Sequence, residues 1–216
     1  MRVSSVPKAK WSHVAKLYIS GLPMRIVAER MGVSIDAITY ILRKSNVPRR
    51  SFKEANRIAF ETKAPSFTLC KQTSAQEQEL NLIGAMLYWA EGYKRDTAPG
   101  LDFANSDPAM IALFMRFLHA RYILDERRLQ CSVYAYADQN LTSLVKFWIN
   151  VAGVKESCFR NHYIRKDFKI GGRKLPYGVL HIRYNDKKLL RDVLNLIESC
   201  KVQYRVGGGA VNRTRL

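Results

Sequence analysis

The apolar positions of this chain change period along its length. Between residues 11 and 44 they recur every three to four positions, which predicts helices. Trp11, Val14, Ala15, Leu17 and Tyr18 share one face of a first helix that stops at Gly21. Pro23 suits the first turn of a second, which turns Ile26, Val27 and Met31 inward. Gly32 breaks it, Val33 plugs the turn, and Ser34 caps a third helix carrying Ile35, Ile38, Ile41 and Leu42. Ala28, five residues before Val33, is small enough for a close helix crossing. Residues 51–75 lose this regularity. Phe52 to Phe60 suits one short helix, whereas Pro65 and the Ser/Thr content predict a linker.

Beyond the linker, helical and strand-like periods alternate. From Gln76 to Ala90 a helix opens with Glu77 and Glu79 in its first turn, where acids favour the dipole. Leu80, Leu82, Ile83, Met86, Leu87, Tyr88 and Trp89 then wrap most of its circumference, so it must be covered on more than one side. Residues 100–106 and 129–136 alternate like strands, and 158–168 and 177–184 predict two more joined by a loop with Gly171 and Gly172. Helices are predicted after Asp107-Pro108, over 141–151 and over 187–200. The pattern gives an α+β protein: a three-helix domain at 1–50, a linker at 51–75, a domain with a small, mostly antiparallel sheet at 76–201, and a Gly-rich tail at 202–216.

Charge narrows the partners. Thirty-six Lys and Arg face 18 acids, a net charge of +18. Residues 1–70 hold 13 basic and 4 acidic side chains and residues 71–216 hold 23 and 14, so each segment carries +9. Such a field attracts polyanions, of which nucleic acid and an anionic membrane surface are the usual ones. No apolar run approaches the ~20 residues of a membrane span, and the N-terminus lacks the apolar stretch of a signal peptide. The four cysteines are scattered without a C-x-x-C pair, as in a reduced protein, and cytoplasmic localisation is the expectation.

Two surfaces are candidates for DNA. The third helix would present Ser34, Asp36, Thr39, Tyr40, Arg43 and Lys44 to a major groove, and Arg49 and Arg50 follow a proline that could bring them over phosphates. A small three-helix bundle of other purpose would show the same periodicity. Residues 13–50, ending in Val47-Pro48-Arg49-Arg50, nevertheless resemble the helix-turn-helix of resolvase-type proteins. Further along, a hairpin predicted over 155–183 carries Lys155, Arg160, Arg165, Lys166, Lys169, Arg173, Lys174 and Arg183, interleaved with Phe159, Tyr163, Phe168 and Tyr177. Such a face can lie along a duplex, although lysines also protect solvated sheet edges from aggregation.

One acid is out of place. Glu91 ends the apolar helix where carbonyls point outward and a carboxylate is disfavoured, unless water or a cation sits beside it. The stretch GAMLYWAEG, Gly84 to Gly92, resembles the motif of the LAGLIDADG homing endonucleases. Ala85 and Leu87 match, Glu91 takes the last acidic position and Gly92 the final glycine; Met86 and Trp89 depart from the pattern. EGYK, LDFANSDPAMIALFMRFL, YAYADQN, KFWINVAGV and KLPYGVLHIRYND extend the resemblance across residues 78–200. It implies that Glu91 binds a divalent metal, Mg2+, over a scissile phosphate. One motif supplies one acid, so the resemblance also implies a homodimer, with Gly84, Ala85, Tyr88 and Trp89 as the packing face. Lys94, His181 and Arg183 become candidate catalytic residues beside Glu91. The function implied is a site-specific, metal-dependent endonuclease acting on double-stranded DNA, with no membrane and no small-molecule cofactor. A transcriptional regulator that kept the domain and lost cleavage is the alternative, and an RNA-binding protein fits the charge but fits a helix-turn-helix poorly.

Overall fold

The computed structural model describes residues 6–71, 74–95, 97–166 and 175–204. The chain splits into two compact units, Met1–Ala64 and Pro65–Leu216.

The first unit contains α1 (Trp11–Ile19), α2 (Met24–Met31), α3 (Ile35–Lys44) and α4 (Phe52–Thr62). Val14, Tyr18, Val27, Ala28, Val33, Ile38, Ile41 and Leu42 form its core. Gly32 holds a left-handed backbone, φ +66°, and the Val33 amide returns to the Ala28 carbonyl at 3.0 Å. A side chain at Gly32 would strain that turn. Ser34 caps α3, its Oγ accepting the Ala37 amide at 3.2 Å. Ile35, expected inside, is 45% exposed because little packs over the first turn of α3. The α4 helix fills half of the expected linker, capped by Ser51 and with no buried residue.

The second unit starts earlier than the sequence suggests. The Ser66 amide and hydroxyl donate to Asp186 Oδ2 at 2.8 and 2.7 Å, and Tyr184 donates its hydroxyl to the Ser66 carbonyl at 2.7 Å. Strand β1 (Phe67–Leu69) then pairs antiparallel with β3 (Tyr122–Leu124). These bonds are long-range, so local composition carries no trace of them. The rest comprises α5 (Ala75–Glu91), β2 (Leu101–Asn105), α6 (Pro108–Arg121), β4 (Leu129–Tyr136), α7 (Leu141–Ala152), β5 (Tyr163–Arg165), β6 (Val179–Tyr184) and α8 (Lys187–Gln203). A capping box starts α5: Ser74 Oγ accepts the Glu77 amide while Glu77 Oε2 accepts the Ser74 amide.

The main sheet runs β2-β6-β4-β5. β6 is antiparallel to β2 and β4, whereas β5 is parallel to β4. The predicted hairpin of residues 155–183 is therefore corrected, since β4 lies between β5 and β6. The helix α7 connects β4 to β5, and a helical crossover returns the chain in the same direction, which makes the pair parallel. Leu101, Phe103, Leu129, Cys131, Val133, Ala135, Leu180, Ile182 and Tyr184 point into a core shared with α5, α6 and α8. Alternation leaves the opposite face to other residues. Among the described residues no helix is long and apolar enough to cross a membrane.

Candidate nucleic-acid interface

The end of α5 is held against the sheet. Gly92 forms a β-bridge with Phe103, and the Tyr93 amide donates to the Asp102 carbonyl at 2.9 Å. The chain thus leaves the helix along the edge of β2, with Glu91 exposed at the turn. Lys94 lies near it in sequence but is engaged elsewhere: its Nζ donates to the Trp89 carbonyl at 2.7 Å. There it offsets the negative end of the helix dipole.

The expected dimer face is also corrected. Gly84 is buried, and a Cβ there would overlap the Phe117 ring of α6. Ala85 and Tyr88 are fully buried in the core, and the Tyr88 hydroxyl donates to the Tyr93 carbonyl at 2.7 Å. Burial pushes the Tyr88 phenol well above its ordinary pKa. The small residues of this helix thus admit the chain's own α6. Trp89 stays 46% exposed, with the Lys201 ammonium 4.8 Å from its ring centroid. Ile83, Met86 and Leu87 are half-buried on α5, and Ala90 is exposed.

His181 and Arg183 come together on the face of the sheet turned away from the core. The register places Arg183 between Asp102 and Gln130, and His181 between Ala104 and Ser132. Arg183 Nε donates to Asp102 Oδ2 at 2.8 Å and Nη2 to the Tyr134 hydroxyl at 3.1 Å. His181 Nδ1 stands 3.1 Å from Asp102 Oδ1 and 3.0 Å from Arg183 Nη2. With a proton, Nδ1 donates to the carboxylate; without one it accepts from the guanidinium. Burial raises the Asp102 carboxyl, but the hydrogen bonds and charges of His181 and Arg183 outweigh it and hold the group below the ordinary carboxylate range. Asp102 was missed as a functional residue. The alternation of LDFAN, which sets Asp102 opposite Leu101 and Phe103, was the available signal.

The other basic candidates divide. Arg165 and Lys166 are exposed. Arg160 instead directs Nη2 to the Arg127 carbonyl at 3.3 Å and Nη1 to the Ser157 carbonyl at 3.5 Å, bracing a loop. Lys155 pairs with Glu126 at 2.6 Å. Lys169, Arg173 and Lys174, like the tail beyond residue 204, lie outside the described residues.

In the first unit Asp36, Tyr40, Arg43 and Lys44 are exposed on α3. The Arg43 and Lys44 charges lie 5.6 and 5.9 Å from the Tyr40 ring centroid. Thr39 is half-buried and donates its hydroxyl to the Ile35 carbonyl at 3.0 Å. Arg49 is exposed, whereas Arg50 is not free for phosphate. Arg50 Nη1 donates to the Leu22 carbonyl at 3.1 Å and Nη2 to the Tyr18 carbonyl, with the guanidinium carbon 4.0 Å from the Tyr18 ring centroid. Its amide also donates to the Tyr18 hydroxyl at 2.9 Å. It fastens the segment after α3 to the end of α1.

Among the described residues no group of three or more His, Cys, Asp or Glu side chains is placed to hold a metal ion. Comparison with protein-family models, curated proteins and solved structures returned no match.

Proposed function

We propose that this protein binds double-stranded DNA site-specifically and cleaves it as a metal-dependent, homing-type endonuclease. The first unit is read as a helix-turn-helix with α3 as its recognition helix, and the second as a LAGLIDADG-like domain. The observation that carries DNA binding is the exposed face of α3. It offers Tyr40, Arg43 and Lys44 in its C-terminal half and a capped, exposed N-terminus at its other end, the combination that reaches both base edges and phosphates.

Cleavage rests on Glu91. Glu91 is an exposed carboxylate at the C-terminal end of α5, beside carbonyls that already draw the Lys94 ammonium, and it stands open to a further cation from solvent. One such carboxylate per chain is half of the donor set for a bridging divalent ion, so the reading requires a homodimer. The exposed Trp89 and Ala90, with half-buried Ile83, Met86 and Leu87, replace the buried small residues as its packing face. Bound Mg2+ would polarise the scissile phosphate and lower the pKa of an attacking water. Glu91 would hold the ion, while Arg183 and His181 offer donors to phosphate on the open sheet face.

The second reading is a DNA-binding regulator without cleavage. It is favoured by the hydrogen bonds of His181 and Arg183, which converge on Asp102 as in a structural network. A cleavage assay on a duplex library, with Mg2+ against EDTA, separates the two. The nuclease gives metal-dependent cuts at a defined site, lost in Glu91→Gln while binding persists. Selective binding without cuts under any divalent metal contradicts it and leaves the regulator.

A further inference from the structure

The open face of the main sheet carries aromatic rings in a row across three strands. His181 on β6 packs in a tilted arrangement on Tyr134 on β4, with centroids 4.1 Å apart and planes at 33°. Tyr134 in turn meets Tyr163 on β5, its cross-strand partner, at 5.3 Å. The row is fixed from below. Arg183 reaches the Tyr134 hydroxyl and is itself held by Asp102, and Gly178 lets β6 come close enough to Tyr134 that any Cβ would strike its carbonyl oxygen. The outer end is open, with Tyr163 53% exposed. Beside it a cleft of about 450 Å³ is lined by Tyr134, Tyr136, Tyr163, Arg165 and Val179.

Three tyrosines with one arginine make a lining for a flat, partly polar ring attached to an anion. Phosphate contact needs only charge, which this chain has in excess elsewhere. Three aromatic rings in a row serve a π-face, and inside a duplex the faces of the bases are covered by their neighbours. Tyr134 and Tyr163 are too close for a ring to enter between them, so a guest would stack on the free side of Tyr163.

We propose that this face binds unpaired nucleobases, stacking one on Tyr163, in a locally opened stretch of the DNA that the protein recognises. The inference rests on the DNA-binding reading above and deepens it: the second unit takes bases released from the helix. An opened segment has already lost its stacking, so the protein recovers part of that energy by supplying a ring. The sheet face then distinguishes a melted or mismatched segment from a paired one without reading base edges.

The test uses the full chain and two labelled duplexes of equal length, one fully paired and one with three central mismatched positions. Fluorescence anisotropy at fixed salt should give about tenfold tighter binding to the mismatched duplex, as expected for one stacked base. Tyr163→Ala should abolish the preference, bringing affinity for the mismatched duplex to that for the paired one, whereas Tyr163→Phe should keep it. A 2-aminopurine at the mismatch should be quenched by the wild type and not by Tyr163→Ala. Since Tyr163 is half exposed, circular dichroism should find the variants folded. Equal affinity for the two duplexes, or a preference that survives in Tyr163→Ala, overturns this inference and leaves the DNA-binding reading standing. Binding to neither duplex overturns both.

Discussion

Arg49 and Arg50 are neighbours with different work, which shows how little a residue's type says about its role. Both follow Pro48 and both look like phosphate ligands. The Arg50 guanidinium, however, satisfies two carbonyls at the end of α1 and lies on the Tyr18 ring, while Arg49 is exposed. Removing Arg50 takes its donors from both carbonyls, leaving the Tyr18 carbonyl with the Gly21 amide alone, and removes the charge from the Tyr18 ring. Arg50→Ala should therefore lower the stability of the first unit by about 1–3 kcal/mol, read from urea midpoints, whereas Arg49→Ala should leave the midpoint unchanged and weaken DNA binding. Asp102 gives a second residue-level expectation. Its carboxyl is held below its ordinary pKa by His181 and Arg183. The carboxylate therefore adds stability above the unfolded value of about 3.9, and that stability is lost as pH falls through the folded value. Asp102→Asn should be less stable than the wild type at pH 7 and should lose less than it between pH 5 and pH 3, measured by urea unfolding.

At the scale of elements, α5 is the most informative helix. Its sequence announced coverage on several sides, and α6 and α8 pack on it. What periodicity did not tell was which neighbour needed the small residues. The Gly84 backbone receives the Phe117 ring, and nothing in a list of small side chains separates that from a contact with a second copy. Gly84→Ala should overpack this junction and destabilise the second unit by about 1–3 kcal/mol in a thermal or urea melt, without changing the exposed face of the sheet. The helices α1, α2 and α3 and strand β4 were legible because each buries one face at a regular period. The parallel placement of β5 and the pairing of β1 with β3 depend on partners distant in the chain, so local pattern could not reveal them. The Asp102, His181 and Arg183 cluster was half legible. The two basic residues drew attention through the family resemblance, while their carboxylate partner lies 79 residues from His181 and was read only as part of a strand.

At the scale of the whole molecule, two units in one chain each present basic and aromatic residues to solvent. The first exposes Tyr40, Arg43, Lys44 and Arg49; the second exposes Tyr163, Arg165 and Lys166. If both surfaces bind DNA as proposed, tethering on one chain raises their effective concentration, and the full chain should bind a site more tightly than either unit alone. The charge of +18 guarantees general attraction to any nucleic acid and by itself says nothing of sequence. Selectivity is accordingly the central claim. The most direct test is selection of bound duplexes from a randomised library by the full chain at physiological salt, followed by sequencing. A defined sequence should be enriched, the enrichment weakened by alanine at Tyr40 and Arg43, with two inverted copies if the protein binds as a dimer. Recovery of an unenriched library, bound with an affinity that depends on salt alone, would contradict that claim.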